Sequence, residues 1–256
     1  TDAETCRFSV FNDIHNQVEE YSALAAQVDS AATDFLFLNG DIVSAGNYVA
    51  DTLVRYEVKP LGTLAAGLPV LFARGNHEGR GNNPQLVADV FPNEDPAPFY
   101  YTFRHGPVAF IVLVGGEPGR SRSILYSGSG VYEDYLAEQI EWAREAMQEP
   151  LFSSAPVKIC MVHVPMFDHP DKTDYLLLRW LNVHFAPMLD EAGIDLMISA
   201  DLHEFMYLAP GTMNNPFPIM VNDDARRLDC SYESGKLTLT MFNAAGEKEF
   251  STVLDI

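Results

Sequence analysis

The 256-residue chain has only three cysteines, Cys6, Cys160 and Cys230. So odd and sparse a count excludes a disulfide framework and a Cys-rich structural zinc cage. Cys160 lies inside the run Val157-Lys158-Ile159-Cys160-Met161-Val162 and reads as a small core residue. A Cys6–Cys230 bridge stays open, because sequence does not set their separation. Basic residues are also scarce. Sixteen Lys and Arg stand against 36 Asp and Glu, a formal net charge of -20. A field of that sign repels nucleic acid and anionic membranes at long range, so neither is expected as a partner. The acidic excess serves as a solubilising or salt-adapted surface, or part of it lines a site whose bound cations offset it. No apolar run approaches the roughly 18 to 20 residues that cross a bilayer. There is no Asn-x-Ser/Thr sequon, so glycosylation gives no clue to the compartment. The chain begins at Thr1 rather than Met; a removed upstream segment and an extracytoplasmic location are the expectation.

Internal repeats, low-complexity tracts and long linkers are missing too. With 47% hydrophobic residues the chain can bury a sizeable core, and one domain over residues 1–256 is expected. Apolar runs bounded by turn residues read as buried strands: Phe8 to Phe11, Phe35 to Leu38, Val70 to Ala73, Val157 to Val162 and Leu196 to Ser199. Helical spacing appears from Val18 to Val28 and from Tyr48 to Lys59 before Pro60. It appears again from Asn83-Pro84 toward Val90, from Glu133 to Met147, and from Asp174 to Glu191 before Gly193. Phe99 to Phe103 and Val108 to Val114 read as a hairpin joined by Arg104-His105-Gly106-Pro107, and Glu117 to Gly130 as an exposed loop. Beyond Asp201 only strands remain: Phe205 to Leu208, Phe217 to Val221, Leu228 to Tyr232, Lys236 to Phe242 and Phe250 to Leu254. Trp142 and Trp180 fall on helices and read as core. Alternating α and β first, then β alone, implies an α/β fold of two packed sheets with helices outside.

Five segments rich in metal-ligand side chains follow the buried strands. They are Asn12-Asp13-Ile14-His15, Asn39-Gly40-Asp41, Gly75-Asn76-His77-Glu78, Val162-His163 and Asp201-Leu202-His203. Ligands at the carboxyl ends of neighbouring strands converge on one crevice. Mixed Asp, Asn and His donors suit a pair of divalent or trivalent ions. A lone Asp13 or Asp41 reads as a turn or cap residue and a lone His163 as a core histidine. Four of the seven histidines nevertheless occupy these segments, and that series favours a site. His105 and His169 have no such support, and neither has His184, which reads as structural within its helix.

In that order and spacing, Asp13-x-His15, Gly40-Asp41, Gly75-Asn76-His77-Glu78, His163 and x-x-His203 resemble the calcineurin-like metallophosphoesterase superfamily. The stretch Phe99 to Leu113 and the closing Leu237-Thr238-Leu239-Thr240 with Ala245-Gly246-Glu247 resemble its branch of purple acid phosphatases and their bacterial relatives. The resemblance implies a four-layer α/β/β/α sandwich of two mixed sheets hydrolysing a small phosphoester, phosphatase or phosphodiesterase. It implies two metal ions (Mn, Fe, Zn or Mg) whose bound hydroxide attacks phosphorus. Asp13, His15, Asp41 and His203 would hold one ion; Asp41, Asn76, His163 and Asp201 would hold the other. His77 would protonate the leaving group and Glu78 would orient His77. Arg80 is the best placed substrate clamp among Arg74, Arg80, Arg120 and Arg122. Three departures stand out. Asp201 replaces the family's histidine, a harder donor that either shifts metal preference or weakens the second site. Ser44 stands where purple acid phosphatases carry the tyrosine behind their colour. Val114-Gly115-Gly116-Glu117 replaces a usual acidic stretch. A metal- or ligand-binding protein with faded catalysis is the alternative.

Overall fold

In the computed structural model, the described residues are 3–44, 49–81, 83–91, 99–117, 131–169 and 176–256. Twelve strands build two six-stranded sheets. Strands β1 (Cys6–Phe11), β2 (Phe35–Asn39) and β3 (Val70–Ala73) run parallel in the first. The antiparallel ribbon β10 (Arg226–Glu233), β11 (Lys236–Asn243) and β12 (Lys248–Asp255) completes it, with β10 beside β1. The second sheet contains β4 (Tyr101–His105), β5 (Val108–Leu113), β6 (Val157–Val162), β7 (Leu196–Ser199), β8 (Met206–Leu208) and β9 (Ile219–Val221). Strands β5, β6, β7 and β9 are parallel in it, and β4 and β8 form its antiparallel edges. The strand-only tail is therefore shared: β8 and β9 extend one sheet, β10 to β12 the other.

Period-two alternation decides the layering. Phe8, Val10, Phe35 and Phe37 meet Val108, Phe110, Val112, Ile159 and Ile198 between the sheets. Phe8 stacks on Phe35 with centroids 5.0 Å apart and meets Phe110 edge-on at 5.3 Å. Truncating so enclosed a ring costs about 3–5 kcal/mol. The opposite faces bury Phe11, Leu36 and Leu38 under α1 (Val18–Ala25) and a helical stretch, and Ile111, Leu113 and Val162 under the later helices. Those are α5 (Tyr132–Ala146) and α7 (Leu176–Glu191), with α6 (Pro150–Ser153) between them. The result is the expected four-layer sandwich.

The helical stretch under the first sheet is irregular. A short α2 (Ala50–Leu53) widens into a π-turn over Val54–Val58 and closes in a 3-10 turn over Lys59–Leu61. Pro60 has no N–H for the α-helical ladder, and its ring crowds the carbonyl four residues back, so a regular helix cannot reach it. Short turns α3 (Leu64–Gly67) and α4 (Val87–Val90) complete that side, α4 preceded by a 3-10 turn over Pro84–Leu86. The first hairpin is tighter than expected: β4 runs through His105, leaving Gly106-Pro107 as the turn. Tyr48, Arg120, Arg122 and Asp174, and the expected loop from residue 118 onward, lie outside the described residues. Trp142 and Trp180 pack against the outer core, and His184 lies 4.2 Å from the Trp180 ring. Cys6 and Cys230 are free buried thiols on neighbouring strands, so the bridge left open above is not formed.

Candidate metal centre

Strands β1, β2, β3, β6 and β7 all deliver their carboxyl ends to one edge of the two sheets. The loops after β1 and β2 continue side by side, Asp13, His15 and Asn16 donating N–H groups to the carbonyls of Gly40, Asp41 and Ile42. Six residues around this edge adopt left-handed backbone: Asp13, His15, Asn16, Asp41, Asp201 and His203, with φ between 47° and 67°. Left-handed residues other than glycine are uncommon, and their clustering marks strain concentrated where function sits. Beneath them Gly40 and Gly75 touch backbone to backbone. A Cβ on Gly40 would lie 2.6 Å from Gly75 Cα, and one on Gly75 would lie 2.2 Å from Asp41 Oδ1.

All seven residues expected as metal ligands meet here. Asp13 Oδ1 lies 3.6 Å from His15 Nε2, 3.7 Å from His203 Nε2 and 3.8 Å from His163 Nε2. The His15 and His203 Nε2 atoms are 3.4 Å apart, their rings stacked. Asp41 Oδ2 is 3.2 Å from His163 Nε2, and Asp201 Oδ1 is 3.8 Å from it. Asn76 joins through its amide, whose Nδ2 donates to Asp201 Oδ1 at 3.2 Å. Asp13, His15 and His203 form one tight donor group, Asp13, Asp41 and His163 a second, and His15, Asp41 and His77 a third. Asp13, His15 and Asp41 are each shared between two groups, so the family's division is blurred.

Three buried atoms test the fit of a cation. Asp13 Oδ1, Asn76 Oδ1 and His163 Nε2 are enclosed without a hydrogen-bond partner among the described residues. Leaving such groups unmatched costs about 1–3 kcal/mol each, a cost that a bound cation would remove. Their companions are already committed. Asp13 Oδ2 accepts from Asn12 Nδ2 and from the Asp201 amide. His163 Nδ1–H donates to the Asn39 carbonyl at 2.7 Å, which aims Nε2 at the carboxylates. Burial disfavours a charged His163, yet Asp41 and Asp13 outweigh it and hold its pKa well above the ordinary value. Burial likewise works against ionised Asp41, but His163 and His77 bring its pKa down. Asp201 is pushed up to about 6, chiefly by burial. The spot draws in positive charge.

Glu78 departs from its expected role. Its buried carboxylate accepts the backbone N–H groups of Asp41 and Gly75 at Oε2 and of Ile42 at Oε1, each at 2.9 Å. It holds the β2 and β3 loops together from below, while the Ser44 carbonyl takes His77 Nδ1–H and orients that ring. A carboxylate enclosed by turning backbone amides satisfies donors that no strand can. His77 Nε2 lies 3.7 Å from Asp41 Oδ2, and the His77 backbone N–H donates to Asp41 Oδ1 at 2.8 Å. Burial first, then Arg80 and His15, lower its pKa against the pull of Asp41.

Arg80 reaches the same rim. Its guanidinium donates to His77 Nε2 and pairs with Glu117. Glu117, from the end of β5 that departs from the family's pattern, is 4% exposed and was not expected in the site. Its signal was positional: it follows a buried strand whose neighbour β6 leads directly into His163. Asn12 and Asn222, joined by a 2.7 Å bond, follow β1 and β9 in the same way and support Asp13 from behind. Arg74 instead lies over the Phe99 ring at 4.6 Å, and His105 pairs with Asp34 at the start of β2. His169 stands near the Phe167 ring.

Solved structures share this architecture. Purple acid phosphatase PPD1 from yellow lupin (Lupinus luteus) seeds superposes with a TM-score of 0.74 at 14% identity, covering 99% of this chain and 54% of that one. The chain thus spans about half the length of the plant enzyme. A dimetal phosphatase from Danio rerio gives 0.68 at 11% identity, covering 98% of both chains. GAP50, described as the anchor in the inner membrane complex of Plasmodium, gives 0.68 at 13%, covering 99% of this chain and 90% of that one. At such identities the likeness speaks for the fold. No curated protein matches the sequence. The calcineurin-like phosphoesterase family model, however, matches residues 6–205, from the first residue of β1 to just past His203, and the chain belongs to that family.

Proposed function

We propose that the chain hydrolyses a small phosphoester at a two-metal centre held by Asp13, His15, Asp41, Asn76, His163, Asp201 and His203. The observation that carries this is the set of unpartnered buried atoms at the strand ends: Asp13 Oδ1 and His163 Nε2, 3.8 Å apart, and Asn76 Oδ1 on the amide that contacts Asp201. Metal ions bound there polarise a phosphoryl group and lower the pKa of water. The rest falls to the chain's own groups. Asp13, shared by two donor groups, and Asp41, between His163 and His77, would each face both sides of the centre. Asp41, Asn76 and Asp201 contribute oxygens beside one imidazole, a set that favours Mn²⁺, Mg²⁺ or iron over zinc on that side.

His77 and Arg80 work at the rim. A phosphoryl oxygen arriving beside His77 takes Arg80 N–H donors in exchange for His77 Nε2. That frees the Nε2 lone pair to take up a proton from solvent and pass it to the leaving oxygen, with Nδ1–H still held by the Ser44 carbonyl. The acidic field disfavours nucleic acid as substrate. Among the described residues no helix is long and apolar enough to cross a membrane.

The test is turnover of a generic monoester and a generic diester by protein loaded with Mn²⁺, Zn²⁺ or iron. No hydrolysis by folded, metal-loaded protein sinks the proposal. A second reading, metal or ligand binding without turnover, is favoured by Asp201 and by the likeness to a Plasmodium protein described as an anchor. It requires bound metal and no turnover, with Asp201→His restoring hydrolysis.

A further inference from the structure

Glu117 occupies an unusual position for a carboxylate. It is buried in the segment that follows β5, and one oxygen, Oε1, accepts from Asn76 Nδ2 at 2.9 Å and from Arg80. The Asn76 amide has two chemically different ends, and only its oxygen can bind a cation. A half-turn about its last torsion would exchange oxygen and nitrogen at almost no steric cost. Both Nδ2 hydrogens are claimed, one by Glu117 Oε1 and one by Asp201 Oδ1 at 3.2 Å, itself a member of the donor set. Oδ1 is thereby the end of the amide left enclosed and unpartnered among the described residues.

We infer that Glu117 is the positioning residue that fixes the Asn76 amide with its oxygen toward the metal centre, and that it parks Arg80 beside His77. This inference rests on the two-metal reading above. Glu117 acts from outside the donor set, through Asn76 and Arg80. Outer partners of this kind change metal affinity by roughly 10- to 100-fold when removed. The Gly115-Gly116 step before it is part of the device. A Cβ at Gly115 would lie 2.7 Å from Val164 Cβ and one at Gly116 2.5 Å from the Tyr132 ring, so only glycines let this segment pass into the site.

The test separates acceptor from volume. Glu117→Gln and Glu117→Met are close in size, but only glutamine can still accept from Asn76 Nδ2. Mn²⁺ titration of the full chain by calorimetry, with metal analysis after dialysis, reads affinity and stoichiometry without any substrate. The wild type should bind two ions. Glu117→Gln should bind both within about threefold of wild type, and Glu117→Met should lose roughly 10- to 100-fold at one ion only. The same Met change in the Asn76→Asp background, where both ends are oxygen, should cost nothing further. If Glu117→Met does not fold by circular dichroism, Glu117→Ala takes its place. Wild-type affinity for both ions in Glu117→Met, or equal losses in Met and Gln variants, overturns the inference while leaving the metal centre standing. A wild type that binds neither Mn²⁺ nor Zn²⁺ removes the metal reading itself.

Discussion

Glu57 offers the sharpest test of the electrostatics beneath the site. It lies in the π-turn over Val54–Val58, has no exposed surface, and neither carboxylate oxygen finds a partner among the described residues. Burial, with a smaller contribution from Glu78, pushes its pKa up to about 9 from the model-peptide value of 4.5. The folded state therefore holds a proton that the unfolded chain releases above pH 4.5. Glu57's contribution is fully present below that pH and is lost progressively as pH rises through 9. At about 1.36 kcal/mol per unit, the loss is roughly 3 kcal/mol by pH 7 and about 6 by pH 9. Against total stabilities of about 5–15 kcal/mol, this is a large share. Glutamine has the shape of the neutral acid and never ionises. Urea unfolding of wild type and Glu57→Gln, in chelator so that metal linkage does not enter, should give similar stabilities at pH 5. By pH 8 the variant should be ahead by several kcal/mol. The difference curve isolates Glu57 from the other titrating groups. Parallel stability-against-pH curves for the two proteins would refute the reasoning.

Four further outcomes follow from the site. His77→Ala should cut kcat by roughly 10²- to 10⁴-fold with both metals still bound, read by steady-state kinetics alongside metal analysis. Gly75→Ala, whose methyl would strike Asp41 Oδ1, should destabilise by about 1–3 kcal/mol and lose metal, seen in a melt and a titration. Glu78→Ala strands the amides of Asp41, Ile42 and Gly75, and at about 1–3 kcal/mol per unsatisfied group its melting temperature should fall steeply. Glu78→Gln should fall less. Iron-loaded protein should show no tyrosinate charge-transfer band, because position 44 is a serine whose Oγ donates to the His15 carbonyl.

The candidate ligands were readable as a group because each follows an apolar run, and the residue types at strand ends are constrained by the crevice they enter. Strand existence was readable for the same reason. Asp13, His15, Asp41, Asn76, His163, Asp201 and His203 stand together because β1, β2 and β3 are parallel neighbours in one sheet, β6 and β7 in the other, and the segments that follow them meet. Boundaries were less legible. Periodicity alone extends α1 to Val28, whereas the helix stops at Ala25. It also draws a single helix before Pro60, although that proline forces the ladder to change pitch.

The supporting carboxylates were harder to read, and the reason is physical. A metal-binding Asp is recognisable by its neighbours in sequence, but a buried Glu acquires its meaning from whichever donors surround it in space. Glu78 sits beside His77 in sequence and invites a pairing with it, yet the tight approach of Gly40 to Gly75 brings the β2 loop over its oxygens first. Glu57 and Glu117 come from a π-turn and a glycine-linked strand end with no motif around them. One lies unmatched under the floor, and the other is matched at the rim through Asn76 and Arg80. The strained backbone at Asp13, His15, Asp41, Asp201 and His203 persists because such second-layer contacts over-determine it. A chain without Glu78 would keep all seven candidate metal ligands and lose the amide contacts that hold the β2 and β3 loops together beneath them.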